Sequence, residues 1–281
     1  MNDSDKSWAI KSSSSLFDIQ IKELLDYRDL LWILVRRDFV SFYKQTILGP
    51  IWFFIQPIFT IFIYSFIFGK VGKFSTENAP GPLFYLVGVI CWNYFADCLV
   101  KTSSVFKDNA DIFGKVYFPR LIMPLSLIFS NLIRLSVQLL LFVVLIVYYA
   151  ATGYALNLTS YILLFPLLIA LLAGLGLGFG MIISALTTKY RDLAFLIQFA
   201  VPLLTYTTTV VYPLSSTPSK IKSFVAFNPI TPIIETFRKG ALGTGTFSWA
   251  MIGYTGMVTI LVLVFGGLIF NKVQKSFVDT V

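Results

Sequence analysis

The sequence predicts an all-α integral membrane protein with six transmembrane helices, an N-terminal amphipathic interfacial helix and a re-entrant extracytoplasmic hairpin. Three observations lead to this fold class. Hydrophobic residues make up 57% of the 281 residues, charged residues make up only 13%, and the mean hydropathy is +0.79. Soluble domains carry roughly 25% charged residues, which they need to cover their surface. The bilayer is therefore the expected solvent of most of this chain.

The first two segments differ in character. Residues 1–20 form a polar, Ser-rich tail that lacks the apolar core of a cleavable signal peptide. Residues 21–46 are predicted as an amphipathic helix along the cytoplasmic interface, either as a passive anchor or as a surface that receives substrate. At 3.6 residues per turn, Lys22, Asp26, Asp29, Arg36 and Arg37 share one face, and Leu24, Tyr27, Leu31, Leu34 and Val35 share the other.

Residues 47–271 are predicted as the transmembrane domain, because six apolar stretches approach the roughly 20 residues needed to cross a bilayer. The third and fourth stretches are divided where Gly153, Asn157 and Thr159 interrupt the apolar pattern. Residues 272–281 follow as a cytoplasmic tail. The six predicted spans are 47–69, 83–105, 121–149, 160–186, 193–212 and 248–271.

The distribution of Lys and Arg predicts the orientation. With both termini on the cytoplasmic side, the inner segments hold fifteen of the 22 basic residues and the outer segments hold six. Basic residues concentrate on the cytoplasmic side of membrane proteins. The sequence therefore predicts a multi-pass protein of the bacterial cytoplasmic (inner) membrane with both termini inside. The net charge of +8 is spread between spans, which does not favour nucleic acid as a partner.

Several chemistries are disfavoured by the residues present. The chain has no His and no G-x-x-x-x-G-K-[ST] motif, so neither a Ser/His/Asp triad nor a P-loop nucleotide site is expected. Cys91 and Cys98 lie in an apolar stretch without metal-ligand spacing, and we expect no bound metal or cofactor. The run Gly174, Gly176, Gly178 and Gly180 lies inside a span and predicts close helix packing rather than phosphate binding. We therefore expect a transport subunit and not an enzyme.

Two charges fall at membrane depth. Asp97 lies toward the inner end of the second span, and Arg134 lies midway along the third. Charges inside a bilayer are costly and normally face the bundle interior or water. Two interpretations are open: Asp97 and Arg134 form a buried pair, or Arg134 contacts an anion along a transport path.

Two segments outside the spans carry further hypotheses. Residues 108–115 mix charged and apolar side chains and could form a cytoplasmic helix that projects toward a partner, or an ordinary solvated loop. Residues 212–242 are apolar yet broken by Pro213, Pro218, Pro229 and Pro232. Non-helical backbone at membrane depth is tolerated only against protein or a water-filled cavity. This segment is therefore the predicted re-entrant hairpin and a candidate lid on an outer exit.

Aromatic residues make up 17% of the chain, with 28 Phe and 14 Tyr. Many of them are expected at the bilayer interfaces or against lipid. The surplus also suits sugar rings, whose apolar C–H faces pack on aromatic rings.

Several spaced motifs resemble the type-2 permease subunits of bacterial ABC exporters, especially the exporters of O-antigen, teichoic acid and capsule polysaccharide. The resemblance extends from about Asp26 to the C-terminus. The motifs are residues 36–49 (RRDFVSFYKQTILG) with Trp52 and Pro57, Asn109 with Phe118-Pro119-Arg120 and Pro124, Tyr190-Arg191-Asp192, and Val211-Tyr212-Pro213 with Asn228-Pro229, Glu235 and Arg238.

The resemblance implies an architecture and a cargo. Two copies of the chain would form a homodimer and pair with two copies of an ABC ATP-binding subunit that holds ATP-Mg. The first and fifth spans would line a channel for a polysaccharide linked to a lipid. The implied sites are channel-lining aromatics Tyr43, Trp52, Phe59, Phe195, Phe199 and Tyr206; an ATPase-contact loop with Asp108, Asp111, Ile112, Phe113 and Lys115; and an extracytoplasmic gate with Pro213, Phe224, Phe227, Asn228 and Pro229.

Rival functions remain at this point. An ion-coupled secondary transporter usually shows internal repeats and ionisable residues at the midplane, and the chain has no visible repeat. An ABC exporter of small lipophilic compounds would share the fold, although the aromatic surplus and the loop motifs favour polysaccharide. A membrane glycosyltransferase would need loop carboxylates that are scarce here.

Overall fold

The computed structural model describes residues 26–44, 46–113, 118–155, 157–190 and 192–278, without the side chains of residues 42, 43, 110, 111 and 275–278. All regular structure in these ranges is helical. In chain order the α-helices are α1 (Arg28–Tyr43), α2 (Trp52–Tyr64), α3 (Gly81–Ser103), α4 (Val105–Asp108), α5 (Ala110–Phe113), α6 (Ile122–Ala151), α7 (Phe165–Lys189), α8 (Leu193–Leu204), α9 (Ser219–Phe227), α10 (Thr231–Leu242) and α11 (Trp249–Val278).

Five helical segments within the described ranges are long and apolar enough to cross a bilayer. Three short 3-10 or π turns extend two of them, Gly49–Val71 and Ser160–Lys189, beyond their α-helical bounds. Each lies within a few residues of a predicted span, so these five elements are confirmed as long apolar helices. The five segments are Gly49–Val71, Gly81–Ser103, Ile122–Ala151, Ser160–Lys189 and Trp249–Gln274.

The predicted fifth span is shorter than expected. The apolar helix runs over Leu193–Thr207, whereas the sequence predicted helix to residue 212. A turn of 3-10 helix closes it at Thr205–Thr207, and Thr208 is extended, with φ −117° and ψ 171°. Threonines at 205 and 207–209 explain this end, because β-branched side chains lose χ1 freedom in a helix. At 1.5 Å per residue the segment is about 22 Å long, shorter than the roughly 30 Å hydrocarbon core.

Helix α3 is the centre of the molecule. The side chains of residues 83–87 are fully buried, and α3 packs against α2, α6, α7, α8 and α10. The glycines of α7 allow its closest contacts: a Cβ on Gly176 would lie 2.6 Å from the Cβ of Cys98 in α3, and one on Gly178 would lie 2.9 Å from the main chain of Val262 in α11. The packing interpretation of the glycine run is therefore confirmed.

One end of the bundle, which we call the α1 end, gathers the N-terminal helix and the segment that follows α3. Leu34 of α1 is buried in a cluster with Phe106, Phe113 and Phe270. The rings of Phe106 and Phe270 stack with centroids 4.5 Å apart. Arg120 donates from Nη1 to the carbonyl of Gln274 at 2.8 Å, which ties the start of α6 to the end of α11.

The opposite end, the hairpin end, gathers the three remaining connections. Glu77, between α2 and α3, accepts a hydrogen bond from the main-chain N–H of Gly245 at 2.6 Å. Thr159, between α6 and α7, donates from its main-chain N–H to Gly240 at 3.1 Å. Helices α9 and α10 form a helical hairpin between α8 and α11.

The short helix Leu193–Thr207 runs from one end of the bundle to the other. Just before it, Thr187 donates to the carbonyl of Ser103 at the α1 end, at 2.9 Å. At its other end, the Tyr206 ring lies 6.5 Å from the Phe68 ring, and Tyr212 donates to the carbonyl of Tyr206 at 3.0 Å. This short helix therefore connects the α1 end of the bundle to the hairpin end.

Candidate functional site

The outward face of α2 combines aromatic rings with two polar side chains. Trp52 and Phe59 are 47% and 63% exposed, and Gln56 and Thr60 lie on the same face. Positions i, i+4, i+7 and i+8 share one side of an α-helix, which explains the alignment. These residues line an open groove of about 690 Å³, together with Leu48, Ile55 and Ile63.

Behind this face the structure brings the two intramembrane charges together. Arg134 of α6 donates from Nη1 to the Asp97 carboxylate of α3 at 2.7 Å, and their side chains are only 14% and 25% exposed. The second Arg134 nitrogen, Nη2, donates to the Gln56 side-chain carbonyl at 2.5 Å. The Arg134 side chain therefore joins α2, α3 and α6.

A second polar contact lies one turn nearer the α1 end. Lys101 of α3 donates to the side-chain oxygen of Asn131 of α6 at 2.7 Å. Its spacing from the Asp97–Arg134 pair, four residues on α3 and three on α6, follows from the helical repeat. These two polar contacts, Asp97–Arg134 and Lys101–Asn131, thus fix the register of α3 against α6.

The aromatic residues of α8 and its 3-10 extension also face outward. Phe195, Phe199 and Tyr206 are 73%, 70% and 49% exposed. With α2 and α8 both packed on α3, one chain presents two aromatic surfaces. Tyr43 ends α1, and its side chain lies outside the described residues.

Three of the predicted gate residues, Phe227, Asn228 and Pro229, lie at the turn of the α9–α10 hairpin. Asn228 accepts from the main-chain N–H of Ile230 at 3.1 Å, a side-chain turn that begins α10. The carbonyls of Phe227 and Pro229 accept hydrogen bonds from Tyr254 and Thr255 of α11, at 2.9 and 3.1 Å. The turn is therefore held by α11.

The side chains of the gate residues differ in how exposed they are. The side chains of Phe224 and Phe227 are 70% and 68% exposed, whereas Pro213 is buried. Of the five predicted gate residues, Phe224 and Phe227 are therefore the two with exposed side chains. Beneath α9 lies an apolar cavity of about 470 Å³, walled by α3, α7, α8 and the hairpin and including Trp92, Phe95 and Phe179.

A fully buried ion pair anchors the hairpin. Arg238 is 0% exposed and lies 3.4 Å from Glu235, and its guanidinium stacks 3.6 Å from the centroid of the Phe84 ring. It also donates to the carbonyl of Val210 at 2.9 Å. Glu235 accepts from the main-chain N–H of Thr246 at 3.0 Å. Burial lowers the pKa of Arg238 to about 10, opposed by the Glu235 carboxylate, so Arg238 is charged at neutral pH.

The predicted ATPase-contact loop is only partly on the surface. Asp108, at the end of α4, is exposed, as is its neighbour Lys107. Phe113 is 7% exposed and packs between Phe106 and Phe118, with the Arg120 guanidinium 5.3 Å from its ring centroid. Its side chain therefore belongs to the intramolecular core rather than to a free surface. Ile112 is half-buried against the same cluster, and Lys115 and the Asp111 side chain lie outside the described residues.

Sequence reasoning missed Gln56 and Glu77. Gln56 carried a usable signal, since it is the one amide side chain in the predicted first span and lies four positions after Trp52. Glu77 carried none, because it sits in a polar connection and acquires its role only through distant contacts with Gly245 and Ser215.

Comparison with known proteins agrees with this architecture. A family described as "ABC-2 type transporter" matches residues 29–242. The chain is 28% identical over 262 residues to the O-antigen export system permease protein RfbA of Klebsiella pneumoniae, covering 93% of this chain and 98% of that protein. It is 28% identical over 221 residues to RfbA of Myxococcus xanthus, covering 78% and 82%. It is 24% identical over 235 residues to the polysialic acid transport protein KpsM of Escherichia coli, covering 82% and 87%. The chain is a multi-pass membrane protein and belongs to the ABC-2 type transporter family.

Proposed function

We propose that this chain is the permease subunit of an ATP-driven ABC exporter that moves a lipid-linked, O-antigen-like polysaccharide from the cytoplasm across the inner membrane. Three relatives carry names that specify O-antigen export or polysialic acid transport. Family membership supports the ABC transport class. The chain itself has no P-loop motif, so ATP-Mg would be bound by a separate ABC ATP-binding subunit.

The observation that carries the proposal is the mixed face of α2. Gln56 and Thr60 lie between exposed aromatic rings in the middle of an apolar helix. The Gln56 carbonyl accepts from Arg134, but its amide N–H groups are on an exposed side chain. Polar donors that face hydrocarbon without a partner cost several kcal/mol. This face is therefore expected to line a water-filled path. Aromatic rings beside hydrogen-bonding groups suit sugars, which have apolar C–H faces and hydroxyls.

A homodimer would complete the path. A single chain exposes the aromatic residues of α2 and α8 rather than burying them. Two copies related by a two-fold axis would bring α2 of one copy toward α8 of its partner, because symmetric interfaces use the same patches on both copies. Trp52, Phe59, Phe195, Phe199 and Tyr206 would then contact the cargo.

The proposed topology has six crossings with both termini in the cytoplasm. The change of end along Leu193–Thr207 supports a sixth crossing despite its length, with the α9–α10 hairpin filling the remaining depth as a re-entrant element. Residues of the α1 end include Arg36, Arg37, Lys107 and Arg120, which favours the cytoplasm for this end. Helix α1 would lie along the inner interface, with Leu34 and Val35 buried and Arg36 and Arg37 exposed.

The two ends would perform different tasks. At the cytoplasmic end, the exposed residues Lys107 and Asp108 would meet the ATPase. At the outer end, Phe224 and Phe227 would form the gate, supported by the buried Glu235–Arg238 pair. Two copies of the ATPase would match the two-fold symmetry of the permease.

An exporter of small lipophilic compounds is the second candidate. The apolar cavity of about 470 Å³ beneath α9 favours it, because drug-sized ligands occupy pockets of this volume. An ion-coupled transporter is less well supported, since Asp97 is already paired with Arg134.

Deletion of the gene in its native host, followed by complementation, tests the proposal. We expect deletion to remove polysaccharide from the cell surface and to leave a lipid-linked glycan inside the cell. Complementation should restore export only when the partner ATPase is catalytically competent. Unchanged surface polysaccharide, with altered resistance to lipophilic compounds, would support the second candidate instead.

A further inference from the structure

We propose that the side-chain amide of Gln56 is the hydrogen-bond donor that the translocation path offers to glycan hydroxyls, and that Asp97 and Arg134 are the residues that position it. This inference rests on the proposed function. It also replaces the idea that Arg134 itself contacts an anion, because both ends of its guanidinium are engaged inside the protein.

The orientation of the amide follows from its partner. A guanidinium has only N–H donors and no acceptor, so the group of Gln56 that faces Arg134 must be the carbonyl oxygen. The amide nitrogen is then directed away from Arg134, on a side chain that is exposed and lines the α2 groove. Gln56 therefore presents two N–H donors to the groove in a fixed direction.

The Asp97 carboxylate neutralises the charge of Arg134, so the groove is not lined by a free cation. Its Nη1 contacts the Asp97 carboxylate at 2.7 Å, and only 14% of its side chain is exposed. The pair can still polarise the Gln56 amide through the Nη2 hydrogen bond, since linked hydrogen bonds strengthen one another. The groove is therefore lined by a neutral hydrogen-bond donor that Arg134 strengthens. A cation in the same place would hold an anionic cargo too tightly for transit.

Thr60 adds the complementary group. Its hydroxyl donates to the main-chain carbonyl of Gln56 at 2.9 Å, which leaves the oxygen lone pairs to accept. A donor at Gln56 and an acceptor at Thr60 are thus flanked on the same helix face by the Trp52 and Phe59 rings. A sugar ring needs this combination, because it has hydroxyls at its edge and C–H groups on its faces.

The test uses the whole transporter in its host. Gln56→Leu removes the donors, and Gln56→Glu keeps an oxygen toward Arg134 while replacing the N–H donors with an acceptor. Ser136→Ala, which removes a hydroxyl from an exposed position of α6, is the control. The readouts are the rate of appearance of surface polysaccharide, protein abundance in the membrane and thermal stability of the purified permease.

We expect both Gln56 variants to export about fivefold more slowly, the effect of one lost hydrogen bond, and Ser136→Ala to match the wild type. Gln56→Glu should retain abundance and stability because it still pairs with Arg134. Recovery of normal export in Gln56→Glu would overturn the inference by showing that Gln56 only holds Arg134, and normal export in Gln56→Leu would overturn it as well. If gene deletion itself leaves export unchanged, the proposed function fails and this assignment fails with it, whereas normal export in the Gln56 variants of an active exporter overturns this assignment alone.

Discussion

The buried pair of Glu235 and Arg238 shows how single residues hold the hairpin end together. The Arg238 guanidinium is fully enclosed and reaches the main chain of the segment before the hairpin, while Glu235 reaches the segment after it. Each partner neutralises a charge that would otherwise be buried alone. Removal of one partner of such a pair costs about 3–5 kcal/mol, because the other charge remains in a low-dielectric site.

We predict that Arg238→Met lowers the free energy of unfolding by about 3–5 kcal/mol. Thermal unfolding of the purified permease in detergent measures the effect. Lys239→Met is the matched control, because Lys239 is the adjacent cation, is only half-buried, and donates from its ammonium group to the carbonyl of Gly243 at 3.3 Å. Equal unfolding temperatures for the two variants would contradict the anchoring role of Arg238.

Single residues were the least predictable part of the site. The sequence indicated that Asp97 and Arg134 lie at membrane depth, because charges are conspicuous in apolar spans. It did not identify Gln56 as their partner, since the contact joins residues 78 positions apart and depends on how α2 leans on α6. The sequence shows which residue types lie at membrane depth, but which side chains contact each other depends on how the helices pack.

At the scale of elements, the close approach of α7 to its neighbours depends on its glycines. Gly178 faces α11 so closely that any side chain must move main-chain atoms. By contrast, Gly256 of α11 has open space around its Cβ position within the chain. The same substitution therefore has opposite consequences at the two sites.

We predict that Gly178→Ala lowers the free energy of unfolding by about 1–3 kcal/mol through overpacking. Gly256→Ala should raise it by up to about 1 kcal/mol, because Ala favours the helix. Denaturant or thermal unfolding of both variants compares them directly. A stabilising Gly178→Ala change would mean that the α7–α11 contact is looser than the structure indicates.

In the segment between α3 and α6, Phe113 has a structural role, whereas Asp108 is the residue expected to contact the ATPase. We predict that Phe113→Asp reduces the amount of folded protein, because it places a carboxylate in an aromatic core. Asp108→Lys should leave abundance unchanged, because Asp108 is exposed, and should uncouple ATP hydrolysis from export. ATPase activity and surface polysaccharide are measured together in cells with matched permease levels. Normal coupling in Asp108→Lys would exclude this residue from the ATPase contact.

Most element positions followed from the sequence because long apolar stretches have few alternatives in a membrane protein. Five helical segments lie close to their predicted bounds. The end of the fifth apolar stretch was misjudged, since the helix ends before Thr208 and the chain continues through turns and bends, with residues 208–211 buried in the protein. Apolar residues are compatible with burial against protein and with contact to lipid, so the hydropathy of a segment does not distinguish the two environments.

At the scale of the whole molecule, two dissimilar ends are joined by a bundle with an unusual outer surface. The α1 end is an aromatic cluster with basic residues around it, and the hairpin end is a polar network of main-chain and carboxylate contacts. Between them, α2 presents a face on which rings alternate with polar groups. This distribution is understandable if cargo passes along α2 from the basic end to the hairpin.

The most direct test is the reactivity of single cysteines on α2 toward a charged, membrane-impermeant thiol reagent in the assembled transporter. Cys91 and Cys98 are both buried, so the background reaction is expected to be low. The three variants are Gln56→Cys, Phe59→Cys and Ile58→Cys. Residues 56 and 59 lie on the groove face of α2, whereas Ile58 is 47% exposed and lies on another side of the helix. We predict rapid labelling at positions 56 and 59 and slow labelling at position 58. Slow labelling at all three, or equal labelling at all three, would contradict a water-filled path along this face of α2.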